Sequence, residues 1–181
     1  MTREELLVEL VDPDGTPVGS ATVADAHTGS GLRHRAFSVL LLGPDGRLLL
    51  QQRAATKTRF ALRWTNSCCG HPEPGEPVAQ AAARRLSQEL GLGPVALTEV
   101  GVYSYRAPDP ATDRVEDEYD HVLVGTIGAD TAVAPDPAEV AAVRWSDPAS
   151  LLADLAQQPQ SFTPWLDGVL SVWRSAGPEA K

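Results

Sequence analysis

The side chains able to do chemistry in this 181-residue chain are few and unevenly placed. Its two cysteines, Cys68 and Cys69, are adjacent. Neighbours on the chain close almost no loop and make a poor structural cross-link, so both are expected as free thiols. A free thiol near its reference pKa of about 8.5 serves as acid or base with little retuning. The four histidines are His27, His34, His71 and His121. Glu116 and Glu118 share a face if their segment is a strand, and both then reach one ion; the alternative is a solvated acidic run with Asp117. Arg85 and Glu89 stand one helical turn apart, either as a binding pair or as a surface salt bridge. Lys57 is informative because the sequence's other lysine is its last residue, Lys181.

These residues need elements to carry them. Leu6 to Val11 reads as a strand entering a turn at Asp12-Pro13-Asp14-Gly15, and Gly19 to Gly31 as irregular chain. Phe37 to Leu42 and Arg47 to Arg53 flank Gly43-Pro44-Asp45-Gly46 and predict a second hairpin. Thr56 to Glu76 reads as a long loop, and loops of that length in compact domains are usually functional. Pro77 through Leu90 is the strongest helix, with an apolar face of Val78, Ala82, Leu86 and Leu90 and a stop at Gly91. Strands are expected at Leu97 to Tyr105, Tyr119 to Ile127 and Val140 to Trp145. Further helices are expected over Pro148 to Gln158, capped by Ser146, and over Pro164 to Arg174. Residues 177–181 are expected to fray. This order predicts an α+β layered fold with a mixed sheet, built as a single domain over 1–181.

Gly70, Glu76, Arg84 and Glu89, with Leu90-Gly91-Leu92 after them, stand in the spacing of the Nudix box, so residues 70–92 resemble the metal-diphosphate-binding loop and helix of Nudix proteins. A hydrolytic box carries further glutamates where this chain has Arg85 and Gln88. Cutting a diphosphate takes several carboxylates to hold cations and activate water, which weakens a hydrolase reading. Trp64-Thr65-Asn66-Ser67-Cys68-Cys69-Gly70-His71-Pro72 resembles the active-site loop of type I isopentenyl-diphosphate isomerases. Other landmarks follow that family's order: Leu32-Arg33-His34-Arg35-Ala36-Phe37-Ser38, Gln52-Arg53-Ala54 with Lys57, Tyr105-Arg106-Ala107, Glu116-Asp117-Glu118 and Phe162-Thr163-Pro164-Trp165. The resemblance runs over roughly residues 6 to 170.

The resemblance implies a Nudix-type fold with a mixed sheet between helices. It implies metal-dependent isomerisation of isopentenyl diphosphate to dimethylallyl diphosphate. It assigns His27, His34, His71, Glu116 and Glu118 to one divalent ion; such a nitrogen and oxygen set suits Mn²⁺, Mg²⁺, Fe²⁺ or Zn²⁺ and lacks the thiolates of a structural zinc site. It assigns proton transfer to Cys69 and Glu118, with Tyr105 assisting the glutamate and Trp165 against a transient cation. Arg53, Lys57 and Arg85 take the phosphate-binding places, and Glu89 a Mg²⁺ on the diphosphate. Cys68 is left as a small buried hydrophobe, Trp64 as pocket wall and His121 as structural. The chain departs from the family twice. Ala61-Leu62-Arg63 stands where Pro-Gly commonly precedes the loop tryptophan, and Val23 stands where a substrate-binding lysine usually precedes the first metal-ligand histidine. Val23 predicts a weaker grip on the diphosphate unless another cation substitutes, with Arg33 and Arg35 as candidates.

Composition fits such an enzyme: 43% apolar, 22% charged, Gly 15 and Pro 15 describe a globular protein. A net charge of −9 disfavours nucleic acid and anionic lipid as partners. No apolar run exceeds four residues, so no membrane-spanning helix is expected, and Met1-Thr2-Arg3-Glu4-Glu5 does not read as a secretory signal. The expectation is a cytoplasmic, monomeric protein whose partner is a small prenyl diphosphate. The rivals are a Nudix diphosphohydrolase and a prenyl-diphosphate binder or cyclase-like relative with an altered substrate.

Overall fold

The computed structural model describes residues 2–177, so the expected fraying of 177–181 falls, past Gly177, outside the described residues. β1 (Leu7–Val11) and β2 (Pro17–Thr22) pair antiparallel. Their turn is held by Asp12, whose Oδ1 accepts the amides of Asp14 and Thr16 at 2.9 Å each. The stretch expected to be irregular instead supplies β2 and a short helix, α1 (Val23–Ala26), because Thr22 caps it: its Oγ1 accepts the Asp25 amide at 3.1 Å.

β3 (His34–Leu42) and β4 (Leu48–Arg53) form only the tip of the expected hairpin: they pair antiparallel at Leu42 and Leu48, beside the Gly43–Gly46 turn, and then part. β3 is buried on both faces and takes other neighbours. β5 (Trp64–Thr65) and β6 (Cys68–Gly70) are short strands inside the expected loop, β5 on β4 and β6 on β3. β7 (Leu97–Pro108) and β8 (Val115–Thr126) pair antiparallel, and β8 runs parallel to β3 along its length, from His34 opposite Glu118 to Leu42 opposite Thr126. β9 (Val140–Ser146) pairs with β4. The order β6-β3-β8-β7 therefore forms one continuous mixed surface.

Alternation along β3 divides the core. Leu40 and Leu42, with Val122 and Val124 of β8, pack under α3 (Pro148–Gln157) and α4 (Leu166–Ser175) through Leu151, Leu166, Val169 and Leu170. Phe37, Val39 and Leu41 face the other way, against Ala81, Ala82, Leu86 and Leu90 of α2 (Val78–Leu90). Pro77 precedes α2, and Gly91 ends it at φ 64°, a left-handed conformation that glycine adopts at little cost. The cap of α3 is Asp147 rather than Ser146: its Oδ1 accepts the amides of Ala149 and Ser150 at 3.0 Å each, one residue closer to the helix. α4 starts at Leu166, two residues later than expected. Among the described residues no helix is long and apolar enough to cross a membrane.

The Arg59–Arg63 loop carries strain. Phe60 and Leu62 adopt φ of 47° and 61°, a region that costs a residue with a Cβ about 1–2 kcal/mol. Leu62 is 53% exposed, so replacing it loses little burial. Leu62→Gly should therefore be more stable than Leu62→Ala, which keeps the strain, by about 1 kcal/mol in urea denaturation. Equal midpoints for the two variants would contradict this account.

Candidate active site

The parallel register of β3 and β8 sets His34 beside Glu118, and the antiparallel register of β7 and β8 sets Tyr105 on the other side of the same glutamate. Glu116, Glu118 and Asp120 share a face because side chains alternate with period two. Across β3, Ser38 lies opposite Cys69, so the Cys69 side chain joins that face while Cys68 turns to the α2 side and is fully buried among its residues. Neighbouring strands lie about 4.8 Å apart, which puts the β6 and β8 backbones roughly 10 Å from one another with β3 between them. Cys69, Glu118 and Trp165 all line one cavity of about 530 Å³, within the usual size range of small-molecule sites.

Five side chains converge at its floor. One ligand atom each from His27, His34, His71, Glu116 and Glu118 can be chosen so that all lie within 4.8 Å of one another. His27 Nδ1 lies 2.6 Å from the Val23 carbonyl and His34 Nδ1 2.7 Å from the Leu32 carbonyl; a carbonyl accepts only, so each Nδ1 carries the proton, and in the neutral ring each Nε2 presents a lone pair. His27 Nε2, His34 Nε2 and Glu116 Oε2 are buried without a hydrogen-bond partner, although His27 Nε2 and Glu116 Oε2 are 2.6 Å apart. Buried lone pairs aimed at one another are unfavourable unless a cation sits between them. The donor set therefore fits a divalent metal. Glu116 Oε1 accepts Arg59 Nε at 3.1 Å, and Glu118 Oε2 accepts the Tyr105 hydroxyl at 2.5 Å. Burial, together with the charge of Glu118, pushes the Tyr105 phenol well above its ordinary pKa, so it stays the donor.

Burial likewise pushes the Cys69 thiol up to about 11, against the opposing pull of Arg53, whose Nη1 lies 3.7 Å from the sulfur. The expected near-reference thiol is thus corrected to one held protonated. The Trp165 indole donates to Asn66 Oδ1 at 3.1 Å. Asn66 Nδ2 in turn donates to the Cys68 carbonyl at 2.6 Å, so the tryptophan and the cysteine loop are fixed to each other. Phe60 meets the Trp165 ring edge-on at 5.3 Å, and the Arg53 guanidinium lies 5.6 Å from its centroid.

The cavity wall carries a cluster of cations. Arg53, Lys57 and Arg85 all belong to it. Glu89 lies beneath them rather than on the wall: Lys57 Nζ is 3.5 Å from its Oε1, Arg85 pairs with the same oxygen, and Gln51 Nε2 donates to Oε2 at 3.0 Å. Burial pushes the Glu89 pKa up, but Lys57 and Arg85 outweigh it and hold the group at about 2. The Arg85–Glu89 pair is thus buried, not a surface bridge. Arg84 Nη2 donates to Glu76 Oε2 at 2.8 Å and ties α2 to the loop before it.

Several expectations fall elsewhere. Trp64 does not line the cavity; Arg144 covers its ring at 4.4 Å instead. Arg33 and Arg35 do not replace the missing lysine: Arg33 pairs with Asp117 at 2.9 Å and Arg35 with Glu9 at 3.1 Å, and neither lines the cavity. Val23 does line it. His121 pairs with Glu99 at 2.7 Å, away from the cluster. Three participants escaped the sequence reading. Asp120 is visible in hindsight as the third member of the Glu116, Glu118 alternation, and it accepts the Ser38 hydroxyl at 2.8 Å. Arg59 and Glu139 carry no local signal, because their place depends on chain crossings far apart in sequence.

Residues 32–166 match the NUDIX domain family model. An isopentenyl-diphosphate Delta-isomerase from Nocardia farcinica is 60% identical over 165 residues, covering 91% of this chain and 93% of that protein. Another from Streptomyces coelicolor is 46% identical over 175 residues, covering 97% of this chain and 87% of that one. Among solved structures, DR0079 from Deinococcus radiodurans superposes with a TM-score of 0.74 at 20% identity over 93% of this chain and 99% of that one, a likeness of fold.

Candidate ligand atoms from the residue after α1, from β3, from the residue after β6 and from β8 would couple ion binding to folding. His71→Ala should lower the metal that copurifies, measured by elemental analysis, while His121→Ala should leave it unchanged. Chelation should lower the melting temperature of the unsubstituted protein. Full metal content in His71→Ala would contradict the five-residue cluster.

Proposed function

The chain belongs to the isopentenyl-diphosphate Delta-isomerases of the Nudix family, and from that membership we propose how its site moves the double bond of isopentenyl diphosphate to give dimethylallyl diphosphate. The 1,3-allylic shift adds a proton at the terminal alkene carbon and removes one two carbons away, through a tertiary carbocation. It therefore needs two proton-transfer groups, one at each end of the allylic unit. The observation that carries the assignment is the placement of Cys69 and Glu118 in one cavity, on strands separated by β3. One of them adds the proton and the other removes it.

A proton taken up by Glu118 would exchange through the Tyr105 hydroxyl, which donates to it at 2.5 Å. Trp165 offers its indole face to the cation, a contribution of about 0.5–2 kcal/mol, and unlike water it does not capture the cation. Arg53 lies near the Cys69 sulfur and favours the thiolate whenever the thiol has given up its proton. His27, His34, His71, Glu116 and Glu118 would hold Mn²⁺ or another divalent ion. When bound, that ion orders the Glu118 carboxylate and supplies positive charge at the cavity floor. Arg53, Lys57 and Arg85 would grip the diphosphate, and Glu89, kept anionic by its neighbours, would hold a Mg²⁺ on it. The whole chain is taken as one such domain, with 70–92 as its diphosphate-facing segment.

The hydrolase alternative lacks its carboxylates. Where a hydrolytic box has glutamates, this helix has Arg85, which donates to Glu89, and Gln88, whose Oε1 accepts Arg85 Nη1 at 2.8 Å.

The direct test is to incubate metal-loaded protein with isopentenyl diphosphate in D₂O. Both proton-transfer groups exchange with solvent, so the product should be the allylic isomer with deuterium in its new methyl group; release of phosphate without that product would contradict the assignment. Cys69→Ala should lower kcat by about 10²–10⁴-fold, whereas Cys68→Ala should have a small effect, and equal small effects would rule out the thiol.

A further inference from the structure

Three cations converge on a single carboxylate oxygen at the cavity mouth. Glu139 Oε2 accepts Arg3 Nη1 at 2.7 Å, lies 3.3 Å from Arg85 Nη2 and pairs with Lys57. Glu139 comes from the segment leading into β9, and Arg3 from the turn Arg3–Glu5 before β1, so neither belongs to the helix or loops that carry the rest of the site. The turn is fastened to the cavity wall, because Glu4 Oε1 accepts Thr58 Oγ1 at 3.0 Å and Arg59 Nη1 at 3.3 Å. Arg3, Lys57, Arg85 and Glu139 all line the cavity that holds Cys69. The arrangement is an anion seat filled by an internal anion: a carboxylate oxygen takes the charge-assisted bonds that a phosphate oxygen would take.

We propose that Arg3 is a substrate-binding residue that grips the outer phosphate of the prenyl diphosphate, and that Glu139 holds Arg3 in place until the phosphate displaces it. The proposal rests on the isomerase reading above and adds a residue to it. The reacting carbons belong near Cys69 and Glu118, deep in the cavity, so the diphosphate extends toward its mouth. Arg3 is there, with its side chain 42% exposed, where an arriving anion meets it early. Val23 lines the same cavity and offers no charge, which leaves that part of the wall to a cation from another segment. Because Glu139 occupies the seat, it competes with the substrate, and the two residues should act on diphosphate affinity with opposite signs.

Calorimetric binding of inorganic diphosphate to metal-loaded protein separates this from a surface salt bridge, which would move stability and leave affinity alone. Arg3→Ala should weaken diphosphate binding about 10-fold, near the lower end for a charge-assisted bond because Arg3 is partly exposed, and Arg3→Lys should recover part of the loss. Inorganic monophosphate should be affected much less. Glu139→Gln should bind diphosphate at least as tightly as the unsubstituted protein. In turnover, Arg3→Ala should raise KM for isopentenyl diphosphate by a similar factor while kcat changes by less than about 3-fold. Unchanged diphosphate affinity in Arg3→Ala, or a loss in Glu139→Gln equal to that in Arg3→Ala, would overturn the proposal. Protein that binds diphosphate through Arg3 yet does not isomerise isopentenyl diphosphate would overturn the isomerase reading and leave this inference standing.

Discussion

The structure depends on the pairing of β3 with β8. Because the two strands are parallel and in fixed register, His34 lies beside Glu118 while Leu40 lies beside Val124, in the same apolar layer as Leu42 and Val122. The same two strands thus supply the polar floor of the cavity at one end and the apolar core under α3 and α4 at the other. A slip of one residue would turn every side chain to the opposite face. It would move Glu116 and Glu118 away from the histidines and put the leucines on the wrong layer. Burial of the leucines therefore fixes the geometry of the ligands, and packing energy holds a buried cluster of imidazoles and carboxylates that would otherwise be unfavourable.

The same alternation explains why two adjacent cysteines have different surroundings. β6 pairs with β3 so that Cys69 shares the Ser38 face and Cys68 shares the Phe37 and Val39 side. The chain is acidic, at −9, yet Arg3, Arg53, Lys57, Arg59, Arg84 and Arg85 line one cavity, interleaved with Glu4, Glu73, Glu116, Glu118, Asp136 and Glu139. Concentrating scarce cations there gives an anionic substrate partners that the rest of an acidic chain would not offer.

Much of this was legible in the sequence. α2 was visible from its proline start, its alanine-rich apolar face and Gly91, and the candidate site residues from the family resemblance carried by the cysteine loop and the spaced histidines. Strand pairing was not legible where it is long-range: Phe37 to Leu42 and Arg47 to Arg53 look like a hairpin, but partners from β6, β8 and β9 compete successfully for both strands. Thr22 could have announced α1, yet the glycines after it masked a four-residue helix. Burial was equally hidden. The shift of the Cys69 thiol and the depth of Glu89 depend on packing against residues that local patterning does not identify, and Arg59 and Glu139 reach the site only through the tertiary fold.

The central claim is that one strand register brings five ligands to a single point. Anomalous X-ray diffraction from crystals grown with Mn²⁺ tests it most directly. The account predicts one strong peak within bonding distance of His27 Nε2, His34 Nε2, a His71 ring nitrogen, Glu116 and Glu118. A manganese ion bound elsewhere with that cluster empty, or one held by the carboxylates without the histidines, would contradict it.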